Sequence, residues 1–94
     1  MAENKVRVHV QVKGRVQGVF FRAFIKEGAD SNGVTGWVRN MPEGMLDAVL
    51  EGPEESVKKT IDWIRVGPPN SIVEDVNVDY EPFLVNYSFF EVKA

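Results

Sequence analysis

Val6, Val8, Val10 and Val12 alternate with Arg7, His9, Gln11 and Lys13, the period-two pattern of a strand that buries one face. From Phe21 the spacing changes. Phe21, Ile25 and Ala29 recur at intervals of four with Phe20 and Phe24 beside them, which predicts an amphipathic helix ended by Asn32-Gly33. Gly28 lies inside that helix at a cost of roughly 1 kcal/mol relative to alanine, so either close packing or an early fray is expected there. Val34 to Asn40 reads as a second strand, Pro42-Glu43-Gly44 as a turn, and Met45 to Glu51 as a third strand with Leu46, Ala48 and Leu50 on one face. Together they predict a hairpin. Gly52-Pro53-Glu54-Glu55 then opens a second helix, with proline at a first-turn position and two carboxylates near the positive end of the helix dipole. Val57, Ile61 and Ile64 form its buried stripe, and Gly67-Pro68-Pro69 stops it. Val76, Val78 and Tyr80 alternate with Asn77, Asp79 and Glu81 in a fourth strand, and Phe90 and Val92 suggest a short fifth at the C-terminus.

The order β-α-β-β-α-β requires two helices to cover one face of an antiparallel sheet, the ferredoxin-like split βαβ sandwich of the α+β class. No linker or repeat interrupts it, so residues 1–94 are expected to form a single domain. The length supports this, since 94 residues is the size of one small domain. With 44% hydrophobic and 27% charged residues, the chain has a globular composition rather than that of a disordered segment.

The absence of cysteine excludes disulfides, thiolate metal sites and a cysteine nucleophile, and a single histidine leaves little for a zinc site. No metal or cofactor is therefore expected. The N-terminus has no apolar signal region and no apolar run approaches ~18 residues, so a cytoplasmic protein without a membrane segment is expected. The net charge of -3 hides an asymmetry: residues 1–40 carry seven Lys or Arg against three acids, whereas the rest carry four against eleven. A sequence pI near 5.1 argues against a nucleic-acid surface, while a local anion site in the first half remains open.

The segment with most chemistry is Gly14-Arg15-Val16-Gln17-Gly18-Val19-Phe20-Phe21-Arg22, between the first strand and the first helix. Glycines at both ends let backbone N–H groups converge, and a helix N-terminus adds its unpaired donors, giving an anion cradle. The same glycines also suit a plain tight turn. Arg22 tips the balance, because an arginine beside the positive end of a helix is unfavourable unless an anion compensates both, although a solvated arginine or a surface ion pair is the alternative. The loop lacks the Gly-Lys-Ser/Thr of a nucleotide-triphosphate site. Downstream, Gly36-Trp37-Val38-Arg39-Asn40 places an amide at the end of a strand, where asparagine commonly serves the turn itself. His9 falls on the solvated face of the sheet, and Trp37 and Trp63 read as packing residues.

Taken together, Gly14-x-Val16-Gln17-Gly18-Val19-x-Phe21-Arg22 and Gly33-Val34-x-Gly36-Trp37-Val38-Arg39-Asn40, with a Glu43-Gly44 turn, Gly67-Pro68-Pro69 and the final Phe90-Glu91-Val92-Lys93, closely resemble the acylphosphatase family over nearly the whole chain. The resemblance implies an enzyme that hydrolyses acyl phosphates to a carboxylate and inorganic phosphate. It implies that Arg22 and the loop of Arg15, Val16, Gln17, Gly18 and Val19 bind the phosphoryl oxygens, and that Asn40 orients the attacking water. The partner is then a small-molecule acyl phosphate, with inorganic phosphate as product and competitive inhibitor, and a monomer is expected. Departures from the family pattern, Glu43 where aspartate is usual, Ser71 where alanine is common, and Gly28, remove no catalytic group.

Two rivals follow from the same pattern. An RNA-binding module shares the element order but displays aromatic residues on its central strands, and Met45 to Glu51 contains none. A catalytically silent acylphosphatase-like domain that binds an anion or a partner is the other.

Overall fold

The computed structural model describes residues 4–83 and 87–93. The alternating valines form β1 (Lys5–Arg15), and the four-residue apolar spacing forms α1 (Phe21–Asn32), capped by Gly33 in the left-handed region. The hairpin follows as β2 (Thr35–Asn40) and β3 (Leu46–Pro53), joined by a tight turn at Pro42–Gly44 in which Glu43 has φ 70°. Next come α2 (Glu54–Val66), β4 (Ile72–Glu81) and β5 (Phe90–Val92). Val34 and Met45 fall just outside the strands expected to contain them, and β4 starts four residues before Val76.

The strands lie in the order β4-β1-β3-β2-β5. β1 pairs antiparallel with both β3 and β4, and β2 pairs antiparallel with β3. Register sets Val8, Val10 and Val12 opposite Leu50, Ala48 and Leu46, and all six are fully buried beneath Phe21, Ile25 and Ala29 of α1 and Val57, Ile61 and Ile64 of α2. The period-two and period-four stripes thus meet in one core. β5 joins the far edge in parallel with β2, so the completed sheet is mixed, and the ring of Phe90 is buried in the core. Tyr80 shares the core-facing side by register with Val8 but remains 56% exposed, because it stands on the edge strand.

At the β1–β4 pairing the register shifts between Lys13 and Gly14. Gly14 has φ 131°, and a Cβ there would sit 2.0 Å from the carbonyl oxygen of Ile72, so this bulge admits only glycine. It bends the end of β1 toward the loop that follows.

The opposite face of the sheet differs from a simple solvated surface. Asp47 and Glu51 are each only 3% exposed. Asp47 meets His9 Nε2 and lies 3.3 Å from Arg39, and Glu51 lies 3.4 Å from Arg7, which also donates from Nε to Glu81 at 3.0 Å. Buried carboxylates require such partners. Trp37 donates to the hydroxyl of Tyr87 at 3.0 Å, and the charged ends of Arg39 and Lys93 approach its ring within 5 Å, a cation–π arrangement.

Gly28 is explained by packing. A Cβ there would fall 2.3 Å from the indole of Trp63, which stacks on Phe24 at 4.2 Å between ring centres and donates from Nε1 to the Phe24 carbonyl at 2.7 Å. Gly28→Ala gains helix propensity of about 1 kcal/mol but displaces an aromatic stack worth ~0.5–1.5 kcal/mol and a hydrogen bond worth ~1 kcal/mol. The melting temperature is therefore expected to fall by several degrees, about 4–8 °C per kcal/mol lost. A thermal melt of the variant that shows an increase contradicts this packing account.

Candidate active site

The loop between β1 and α1 is anchored at both ends by buried side chains, Val16 and Phe21, so its middle is the part free to face outward. Gly18 has φ 75°, a left-handed conformation that side chains rarely adopt, with open space where a Cβ would stand. Phe20 follows with φ 60° and ψ 24°, a conformation that costs a bulky residue on the order of 1–3 kcal/mol. This kink starts α1 with no side-chain cap and no acidic residue in the first turn. The amides of Phe21, Arg22 and Ala23 precede the first helical closure, which is Phe24 N–H to Phe20 O at 3.0 Å. A bare helix N-terminus with an arginine on it concentrates positive potential at one point.

Arg22 is half-buried and donates from Nη1 to the carbonyl of Lys93 at 2.7 Å. One turn later Lys26 donates to the carbonyl of Phe90 at 3.0 Å and pairs with Asp30 at 2.9 Å. Two cations on α1 thus hold the carbonyl of Phe90 at the start of β5 and that of Lys93 just past its end. The contact fixes Arg22 through one donor and leaves the rest of its guanidinium fork for another acceptor.

Asn40 ends β2, exposed, opposite Leu46. It lines the same cleft as Arg22, together with Val16, Gly18, Phe20, Phe21, Ala23 and Val92, in a volume of about 300 Å³. The cleft therefore gathers Arg22, Asn40, Val16 and Gly18 from the residues singled out in the sequence. The other three lie differently. Arg15 is exposed at the end of β1 opposite Ile72, and Val19 packs against the core. Gln17 turns its amide away and donates from Nε2 to the carbonyls of both Met41 and Met45, each at 2.9 Å.

That double contact ties the loop to the turn that directly follows Asn40, whose closure is Met41 N–H to Met45 O at 2.7 Å. Sequence reasoning did not single out Phe20, Ala23, Val92 or the Lys93 carbonyl. Phe20 stands beside the apolar stripe of α1 in the sequence, yet it is 87% exposed.

An uncapped helix end, an arginine and a neutral amide meet around one cleft, carried on a small α+β domain of β-α-β-β-α-β order. The acylphosphatase family model matches residues 8–92. An acylphosphatase of Gloeobacter violaceus is 55% identical over 81% of this chain and 82% of its own length, and one of Pyrobaculum aerophilum is 48% identical over 92% of each. The crystal structure of acylphosphatase from Bacillus subtilis superposes with a TM-score of 0.91 at 32% identity, covering 95% of this chain and 99% of that one. The chain belongs to the acylphosphatase family.

Gln17→Glu tests the loop-to-turn tie. The change is nearly isosteric but replaces a double donor with acceptors that face two carbonyls, at a cost of about 1–3 kcal/mol. Chemical denaturation is expected to show a lower midpoint with an unchanged slope. A midpoint equal to that of the unaltered chain would show that the two contacts contribute nothing.

Proposed function

We propose that this acylphosphatase hydrolyses the carboxyl–phosphate anhydride in the cleft between the β1–α1 loop and Asn40, with Arg22 and the loop amides holding the phosphoryl group and Asn40 orienting water. The observation that carries this assignment is the convergence of Arg22, the uncapped start of α1 and Asn40 on one cleft. Water attacks phosphorus, the bond from phosphorus to the bridging oxygen breaks, and the electron pair leaves with the carboxylate. The proton lost by water passes to solvent or to the phosphate product.

A carboxylate is a good leaving group, so a loose transition state needs positioning and charge stabilisation more than a strong base. Neutral Asn40 meets that need through its carbonyl, which accepts a hydrogen bond from the attacking water. Arg22 supplies a planar fork for the phosphoryl oxygens, already fixed by its bond to Lys93 O. The amides of Gly18 to Ala23 add aligned dipoles that require no reorganisation during the reaction. Arg15 and Val19 support the cradle through backbone amides rather than side chains, and Gln17 holds the turn beside Asn40. Inorganic phosphate carries the same oxygens as the substrate and competes for the same place.

Arg22→Lys keeps the charge but loses the fork, and is expected to reduce kcat/KM at least about 100-fold while the chain remains folded by circular dichroism. Near-normal turnover in the folded variant would remove Arg22 from the phosphoryl site. Asn40→Ala is expected to lower kcat about 100-fold and to leave the phosphate inhibition constant in place. A turn-forming role for Asn40 predicts the reverse, a lower melting temperature with preserved specific activity. Phosphate binding without any turnover of benzoyl or acetyl phosphate by the unaltered chain would instead identify a silent anion-binding domain.

A further inference from the structure

Among the described residues, the side chain of Phe20 takes no part in the hydrophobic core. Its backbone carbonyl closes the first turn of α1, but its ring is 87% exposed while the neighbouring Phe21 is buried. Its φ of 60° is one that glycine would adopt without strain. A strained backbone and an exposed apolar ring are both unfavourable for stability, so the identity of this residue needs another source. Scattered exposed hydrophobic residues are ordinary. Phe20 differs in lining the same cleft as Arg22 and Asn40.

The cleft is lined by two kinds of residue: Arg22, Asn40 and Gly18 bring a charge, an amide and a backbone N–H, whereas Phe20, Ala23 and Val92 bring apolar side chains. In an acyl phosphate the acyl carbon is joined to phosphorus through a single bridging oxygen. A substrate whose phosphoryl group is held by the polar residues therefore has its acyl carbon two bonds from phosphorus, within reach of the apolar residues of the same cleft.

We infer that Phe20 is a specificity-determining residue whose ring receives the acyl portion of the substrate, favouring acyl phosphates with an aromatic or extended apolar acyl group over those with a short one. The inference rests on the phosphoryl site proposed above and adds to it the substrate's other half. Attack by water and departure of the carboxylate are unchanged by it. An aromatic acyl group would stack or pack edge-to-face on the exposed ring, and an acetyl group offers too little surface to do so. The kinked backbone keeps the ring at the mouth instead of folding it under α1 with Phe21.

The test compares kcat/KM for benzoyl phosphate and acetyl phosphate in the unaltered chain, Phe20→Ala and Phe20→Trp, with the inhibition constant of inorganic phosphate measured for each. Phe20→Ala is expected to lower the benzoyl-to-acetyl ratio about tenfold, equivalent to ~1.4 kcal/mol, mainly through KM for benzoyl phosphate. The phosphate inhibition constant is expected to stay where it was, since phosphate carries no acyl group. Phe20→Trp keeps an aromatic surface at the same place and should retain the ratio. An unchanged ratio in Phe20→Ala overturns the inference, and so does an equal loss on both substrates accompanied by weaker phosphate inhibition, which would mean that the ring supports the loop. Absence of hydrolysis of both substrates by the unaltered chain would overturn the proposed hydrolysis, and this inference with it.

Discussion

The site depends on a helix that begins without a cap. The N-terminus of α1 has neither a capping side chain nor an acidic residue in its first turn, and its first three residues, Phe21, Arg22 and Ala23, line the cleft. An end of this kind is tolerated where something else satisfies it, and an anion is the natural complement of both the amides and Arg22. The rest of the structure holds that end in place. Val16 and Phe21 sink either side of the loop into the core, the Gly14 bulge bends β1 toward it, and Gln17 fastens it to the turn after Asn40. β5 completes the arrangement through the Lys93 carbonyl, so a three-residue strand at the far edge of the sheet orients the arginine.

Much of this was legible in the sequence because side-chain period and burial coincide. The valines of β1 and the Leu46, Ala48 and Leu50 of β3 face one core because each strand alternates, and α1 and α2 present their stripes to the same side. Arg22 was legible as a candidate because its charge is unfavourable at a helix start without an anion, whereas Asn40 became a candidate only through the resemblance to the acylphosphatase family. What escaped the sequence depends on long-range geometry. No local pattern tells that β5 would pair in parallel with β2, nor that Phe20, one step before the helix, would turn outward on a left-handed kink. Gln17 read as part of the phosphate loop, but its hydrogen bonds reach 24 and 28 residues along the chain.

The second face of the sheet illustrates the same limit. Asp47 and Glu51 alternate with apolar neighbours and so point away from the helices, a position normally open to water. Here both are buried, Asp47 against His9 and Arg39 and Glu51 against Arg7. The early excess of basic residues is thus partly consumed in balancing β3, and Arg22 is the member of it that lines the cleft. Aromatic exposure of the kind that stacks bases is also lacking on the central strands, since Trp37 lies on β2 and is engaged by Tyr87, Arg39 and Lys93.

The central claim is that the uncapped start of α1, Arg22 and Asn40 form one phosphate-binding unit. Titration of the isotopically labelled protein with inorganic phosphate, followed by amide and side-chain nitrogen NMR, tests it directly. The account predicts that the amides of Gly18 to Ala23, the Arg22 guanidinium and the Asn40 side-chain amide shift together with one dissociation constant, equal to the competitive inhibition constant. Shifts confined to the face around Arg7, Arg39 and Trp37, or inhibition by phosphate without any response in the α1 amides, would contradict it.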